Sequence, residues 1–161
     1  MLAVRIRRAD SNDIPGLMRI EAECFGPEKF SEETVRAFVV RDDTFVLVAL
    51  RENDIIGSAM CLVSEVDAEG RIASIAVLKE HRCIGVGSDL LEECEHEFRN
   101  RKLTKYSLEV DITNESAIAM YTSSGYRITG LIPDFYGAGR DAYWMKKSAS
   151  TGKTRIKVRS A

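Results

Sequence analysis

The segment from Thr44 to Asn100 constrains the fold most. Three apolar runs, Thr44–Leu50, Ile55–Val63 and Arg71–Leu78, are separated only by the polar turns Glu52-Asn53-Asp54 and Asp67–Gly70. Turns this short join antiparallel neighbours, so the runs predict a three-strand meander. The next element, Gly85–Asn100, places Val86, Leu90, Leu91, Cys94 and Phe98 on one side at helical spacing. Thr104–Val110 then reads as a strand again. A helix between two strands implies a crossover into a parallel neighbour, and hence a mixed, mostly antiparallel sheet with helices on both faces.

The flanking segments fit that α/β plan. Val4 and Ile6 alternate with arginines as in an accessible first strand. Asp10-Ser11-Asn12-Asp13 supplies capping side chains for a helix carrying Ile14, Leu17, Met18 and Cys24, which Gly26-Pro27 breaks. Ser31 caps a second helix, with Glu32 and Glu33 at its positive end and Val35, Phe38 and Val39 on its apolar stripe. Asn114–Ser123 forms a helix closed by Gly125 as a left-handed cap. Two last strands, Tyr126–Ile132 and Asp141–Lys147, are joined by a glycine-containing loop. The predicted order is β-α-α-β-β-β-α-β-α-β-β, a single domain over residues 1–147 followed by a basic, flexible tail over 148–161, whose alternation from Thr154 to Arg159 could instead add a strand.

Composition narrows the class. No apolar run approaches the roughly 18–20 residues that span a bilayer, and the N-terminus lacks the apolar core of a signal peptide. The expectation is a cytoplasmic protein with no membrane partner. Cys24, Cys61, Cys83 and Cys94 form no CxxC pair and have only His81 and His96 beside them, so reduced thiols and no metal are expected. Six basic residues from Lys146 onward leave 17 basic against 25 acidic residues in the body, which would suit a cationic substrate or serve solubility alone. So short a basic tail is weak evidence for nucleic acid, though it could touch a ribosome.

The turn Arg82-Cys83-Ile84-Gly85-Val86-Gly87 lies between a strand and a helix. Free N–H groups at a helix start converge on an anion, and glycines let backbone approach a phosphate. A dinucleotide fingerprint requires a third glycine where Leu90 stands, and a nucleotide loop requires the lysine that Gly87-Ser88-Asp89 lacks. A glycine-eased helix start without ligand remains open on these residues alone.

Arg-x-x-Gly-x-Gly after a strand resembles the acetyl-CoA signature of the GNAT superfamily of N-acetyltransferases, and the resemblance spans about residues 3–147. Ser74-Ile75-Ala76-Val77 resembles the splayed strand that pairs with pantetheine. Leu108-Glu109-Val110, Asn114, Ala117-Ile118, Tyr121 and Gly125-Tyr126 resemble a block of the protein N-terminal acetyltransferases. Asp141-Ala142-Tyr143-Trp144-Met145 is similar to their closing strand, and Gly26-Pro27-Glu28-Lys29-Phe30 to their substrate loop. The groups resembled are the archaeal Ard1-like and bacterial RimI-type enzymes.

This resemblance implies a GNAT fold and acetyl transfer from acetyl-CoA to the α-amino group of protein or peptide N-termini, by direct attack in a ternary complex. It implies acetyl-CoA contacts along Ile75, Ala76 and Val77, through Arg82, Cys83, Ile84, Gly85, Val86, Gly87 and Ser88, and at Asn114 and Tyr121. Cys83 departs from the arginine or glutamine usual there, which weakens the expected affinity. Glu109 matches a general base acting through water, Tyr121 the proton donor to sulfur, and Glu28 a second base or orienter of the amine. A surface carboxylate, a core tyrosine and a solvated loop acid are the plainer readings. Phe25, Tyr136 and Tyr143 are candidates for the peptide groove. Acetylation of a small amine (polyamine or amino sugar) and a non-catalytic acyl-CoA-binding module remain alternatives, and oligomeric state and residue preference stay open.

Overall fold

A computed structural model of the chain describes residues 3–149. The strands are β1 (Val4–Arg8), β2 (Thr44–Arg51), β3 (Asp54–Ser64), β4 (Glu69–Val77), β5 (Lys105–Asp111), β6 (Arg127–Ile132) and β7 (Ala142–Ser148). The helices are α1 (Ile14–Phe25), α2 (Glu32–Val40), α3 (Val86–Asn100) and α4 (Glu115–Ser123). The strands form one sheet in the order β1-β2-β3-β4-β5-β7-β6. Only the β4–β5 pair is parallel, as the crossover through α3 requires. This is the expected mixed, mostly antiparallel α/β architecture. The alternation at Thr154–Arg159 and the rest of the expected tail beyond Ala149 lie outside the described residues, whereas Ser148 closes β7.

Strand β2 shows why both faces carry helices. Phe45, Leu47 and Ala49 belong to a core with Leu90, Cys94 and Phe98 of α3, whereas Val46, Val48 and Leu50 pack with Leu17 of α1 and Val35 of α2. Period-two alternation thus feeds two cores from one buried strand. Each fully buried Leu or Phe contributes about 1.5–3 kcal/mol of apolar transfer. Gly70 lets β4 pass beneath Phe98: a Cβ there would meet the ring at 2.5 Å.

Local signals set the helix ends. The Ser31 hydroxyl accepts the Thr34 N–H at 3.1 Å, and Asn114 Oδ1 accepts the Ala117 N–H at 3.2 Å. Helix α4 ends in a Schellman turn, with Gly125 at φ +101° and Tyr126 N–H returning to Tyr121 O at 3.0 Å. No helix among the described residues is long and apolar enough to cross a membrane.

The site depends on where the parallel pair stops. β4 and β5 are paired from Glu69 and Lys105 only as far as Ile72 and Leu108, although β4 continues to Val77 and β5 to Asp111. Opposite β3, Met60 pairs with Ser74 and Cys61 with Ile72, leaving Ala73 as an extra residue. Such a bulge bends and twists its strand. It sits where the two strands part, and a cleft opens between them.

Candidate active site

Two cavities, of about 480 and 430 Å³, occupy this cleft and the space beside it. Both are lined by Phe25, Glu28, Ala73, Ser74, Glu109 and Tyr136, so they meet across one wall. The first continues past Ile75 to Asn114 and Tyr121. Residues far apart in sequence are thereby brought together from β4, β5, α4 and two loops. Phe25 arrives from the end of α1, Glu28 from the α1–α2 connection, and Tyr136 from the β6–β7 loop. Tyr143 lines neither cavity. It stands on β7 opposite Val110 and Leu131 and packs, half-buried, against the α3-side core.

Glu109, near the end of β5, has a side chain only 9% exposed. Arg71 of β4 grips it: Nη2 donates to Oε1 at 2.7 Å, and Nε donates to Oε1 at 3.0 Å and Oε2 at 3.2 Å. A forked, charge-assisted pair fixes the carboxylate plane at the cavity wall. Tyr121 is buried on α4, edge-on to Tyr126 with ring centroids 5.9 Å apart. Burial, with Cys94, Tyr136 and Cys61 nearby, holds its hydroxyl above the ordinary tyrosine range. Tyr136 is pushed up to about 12, by burial first and then by the charges of Glu109 and Asp111. Both phenols are therefore protonated at neutral pH.

Arg140 closes the mouth. Its guanidinium pairs with Glu28 and with Asp111, the latter at 3.0 Å, and lies 5.5 Å from the Tyr136 ring centre. The β6–β7 loop that carries it is held by its own bonds, including Gly139 N–H to Asp134 Oδ1 at 2.7 Å and Tyr136 N–H to Arg140 O at 3.1 Å. Glu28 is thus an ion-paired residue at the rim, not a free loop acid.

In the turn between β4 and α3, Cys83 and Gly85 take left-handed conformations, φ +65° and +93°. Such a turn curls successive N–H groups inward. The first bond of α3 is Asp89 N–H to Gly85 O at 2.9 Å, which leaves the N–H groups of Val86, Gly87 and Ser88 unused by the helix. A Cβ at Gly85 would meet nothing within 4 Å, so the approach is open. Beyond Ile72 the β5-facing edge of β4, including Ile75, Ala76 and Val77, has no strand partner. These features fit an acyl-CoA: an anion at the helix start and an extended amide arm along the strand. Arg82 lies to the side, its Nε donating to Val77 O at 2.8 Å, and so ties the turn to the end of β4. Cys83 and Ile84 are exposed.

Arg71 and Arg140 are the site residues that the sequence did not single out. No local motif marks either, because each meets its partner through strand register or loop closure.

Comparison with known proteins bears on this arrangement. Residues 14–126 match the model of the Acetyltransferase (GNAT) family. An uncharacterised N-acetyltransferase of Methanocaldococcus jannaschii is 31% identical over 150 residues, covering 92% of this chain and 94% of the relative. An N-alpha-acetyltransferase of Sulfolobus acidocaldarius is 29% identical over 160 residues, covering 88% of this chain and 90% of the relative. Among solved structures, the ribosomal-protein-alanine N-acetyltransferase of Escherichia coli superposes with a TM-score of 0.83 at 24% identity, over 93% of this chain and 96% of that one, which shows the shared fold.

Proposed function

Because the chain belongs to the acetyltransferase (GNAT) family, and is an acetyl-CoA-dependent N-acetyltransferase, we propose that its acceptor is the α-amino group of protein or peptide N-termini. One observation carries this reading: where β4 and β5 part, Glu109 and Tyr121 stand on the wall of a single cleft that continues along β4 to Ile75. The likeness to an N-alpha-acetyltransferase over most of both chains supports the choice of acceptor.

Acetyl-CoA, when bound, supplies the acetyl group as a thioester with a thiolate leaving group. The protein's own part is to present a neutral amine and manage two protons. An α-amino group has a free pKa near 7.7–8.0, so only modest base assistance is needed at neutral pH, far less than for a lysine-like amine near 10.4. Glu109, held by Arg71, accepts through water the proton that the amine loses as its N–C bond forms. Tyr121, kept protonated by burial, donates its hydroxyl proton to sulfur as the C–S bond breaks. Glu28 and Glu109, each paired with an arginine, line the wall that the two cavities share, where the amine would approach. No covalent enzyme intermediate is involved.

Initial rates with acetyl-CoA and a set of short peptides, compared with spermidine and glucosamine, test the reading. Turnover of peptides with intersecting double-reciprocal plots is expected. Turnover of spermidine with none of the peptides would contradict it.

A further inference from the structure

We propose that the second cavity receives the first side chain of the substrate and selects a bulky apolar residue, methionine, leucine or phenylalanine, over alanine or serine; this rests on the reading of the acceptor as an N-terminal α-amine. The residues that line this cavity and not the first are Phe30, Phe38, Leu62 and Phe135, with Glu21 and Arg71. Four of those six are large and apolar, and they come from the loop before α2, from α2, from β3 and from the β6–β7 loop. Phe30 and Phe38 stack at 5.9 Å with their planes 12° apart, a flat aromatic wall.

The occupant follows from continuity and charge. The cavity shares Glu28 and Glu109 with the reaction cleft, so an amine reaching the acetyl group leaves its own Cα at the mouth of this space. A side chain branching there has about 430 Å³ before it, far more than a methyl or hydroxymethyl group fills. The polar members are engaged in part, Glu21 Oε2 being buried without a hydrogen-bond partner. Arg71 spends its Nε and Nη2 on Glu109, and Glu21 Oε1 accepts the Phe30 N–H at 2.7 Å, which fixes Phe30 against the wall. What remains for a side chain to touch is mainly aromatic and aliphatic carbon, where burial favours larger groups.

The test is a peptide series identical except for its first residue, Ala, Ser, Asp, Met, Leu or Phe, with kcat/KM measured for each. The best bulky apolar peptide is expected to exceed the Ala and Ser peptides at least tenfold, which corresponds to about 1.4 kcal/mol. Leu62→Trp should then lower the Leu-to-Ala ratio of kcat/KM at least fivefold, a ratio that does not depend on how much of the variant folds. Equal or higher rates with Ala, Ser or Asp first, or an unchanged ratio in Leu62→Trp, would overturn this assignment while leaving N-terminal acetylation standing. Acetylation of spermidine with no peptide turned over would overturn both.

Discussion

Arg71 of β4 forks onto Glu109 of β5, with Nη2 2.7 Å from Oε1, one register step from the last paired residues of the two strands. The pair thus spans the point where the sheet opens. Replacing Glu109 with Gln should lower kcat about 10²-fold or more, the range for losing a positioned base, with little change in the KM for acetyl-CoA. Arg71→Met should lower kcat less. The two should couple by roughly 0.5–3 kcal/mol in a double-mutant cycle, as contacting partners do. Additive effects would show that Arg71 does not act through Glu109.

Burial keeps Tyr121 protonated and raises Tyr136 to about 12, so neither titrates within the working range. A raised tyrosine is a competent donor below its pKa and loses that role only above it. For an α-amine acceptor, kcat/KM should therefore rise with pH near 7.7–8.0, as the ammonium loses its proton, and stay level to about pH 10. Tyr121→Phe should lower the plateau about 10²-fold without moving the rise. A pH–rate profile of both proteins checks this, and a falling limb near pH 8 in the wild type would contradict it.

Gly85 stands at φ +93° with open space where a Cβ would go. The obstacle to alanine there is therefore backbone conformation, at roughly 1–2 kcal/mol. Gly85→Ala should weaken acetyl-CoA binding about tenfold in titration calorimetry and, by that backbone cost, lower the Tm by roughly 2–8 °C. An unchanged Kd would remove the turn from the cofactor site.

Glu21 is 1% exposed and its Oε2 has no hydrogen-bond partner. Desolvation raises its carboxyl above the usual range, partly offset by the Phe30 N–H. The folded protein therefore binds this proton more tightly than the unfolded chain, whose glutamate titrates near 4.3. The sign follows: its contribution to stability falls as pH rises from about 4.3 through the raised folded value. Glu21→Gln keeps an acceptor for Phe30 and removes the charge. Its Tm relative to wild type should increase from pH 5 to pH 8, and a constant difference between those pH values would contradict the assignment.

The sheet was largely legible in the sequence because its strands alternate or run apolar between short polar turns. The caps at Ser31, Asn114 and Gly125 were legible for the same local reason. Helix α1 was less so: Ile20 and Glu21 are buried on it although the sequence singled out neither, and Glu21 is held inside by its contact with the Phe30 backbone. At the site, Glu109 and Tyr121 came from a motif, whereas Arg71 and Arg140 did not. Arg71 faces Glu109 only through the parallel register, and Arg140 reaches Glu28 and Asp111 only once the β6–β7 loop folds back. A motif position on β7 does not say which face of the sheet a side chain packs against, and Tyr143 packs against the α3-side core. The second cavity was invisible beforehand, since its four apolar residues lie on four separate segments.

The central claim is tested most directly by locating the acetyl group. A peptide with a free N-terminus, a leucine at its first position and one internal lysine, incubated with the protein and acetyl-CoA, should gain a single acetyl group on the α-nitrogen, read by tandem mass spectrometry. Glu109→Gln should slow that transfer about 10²-fold. Acetyl on the lysine side chain with a free α-amine, at a rate that Glu109→Gln leaves unchanged, would contradict the account.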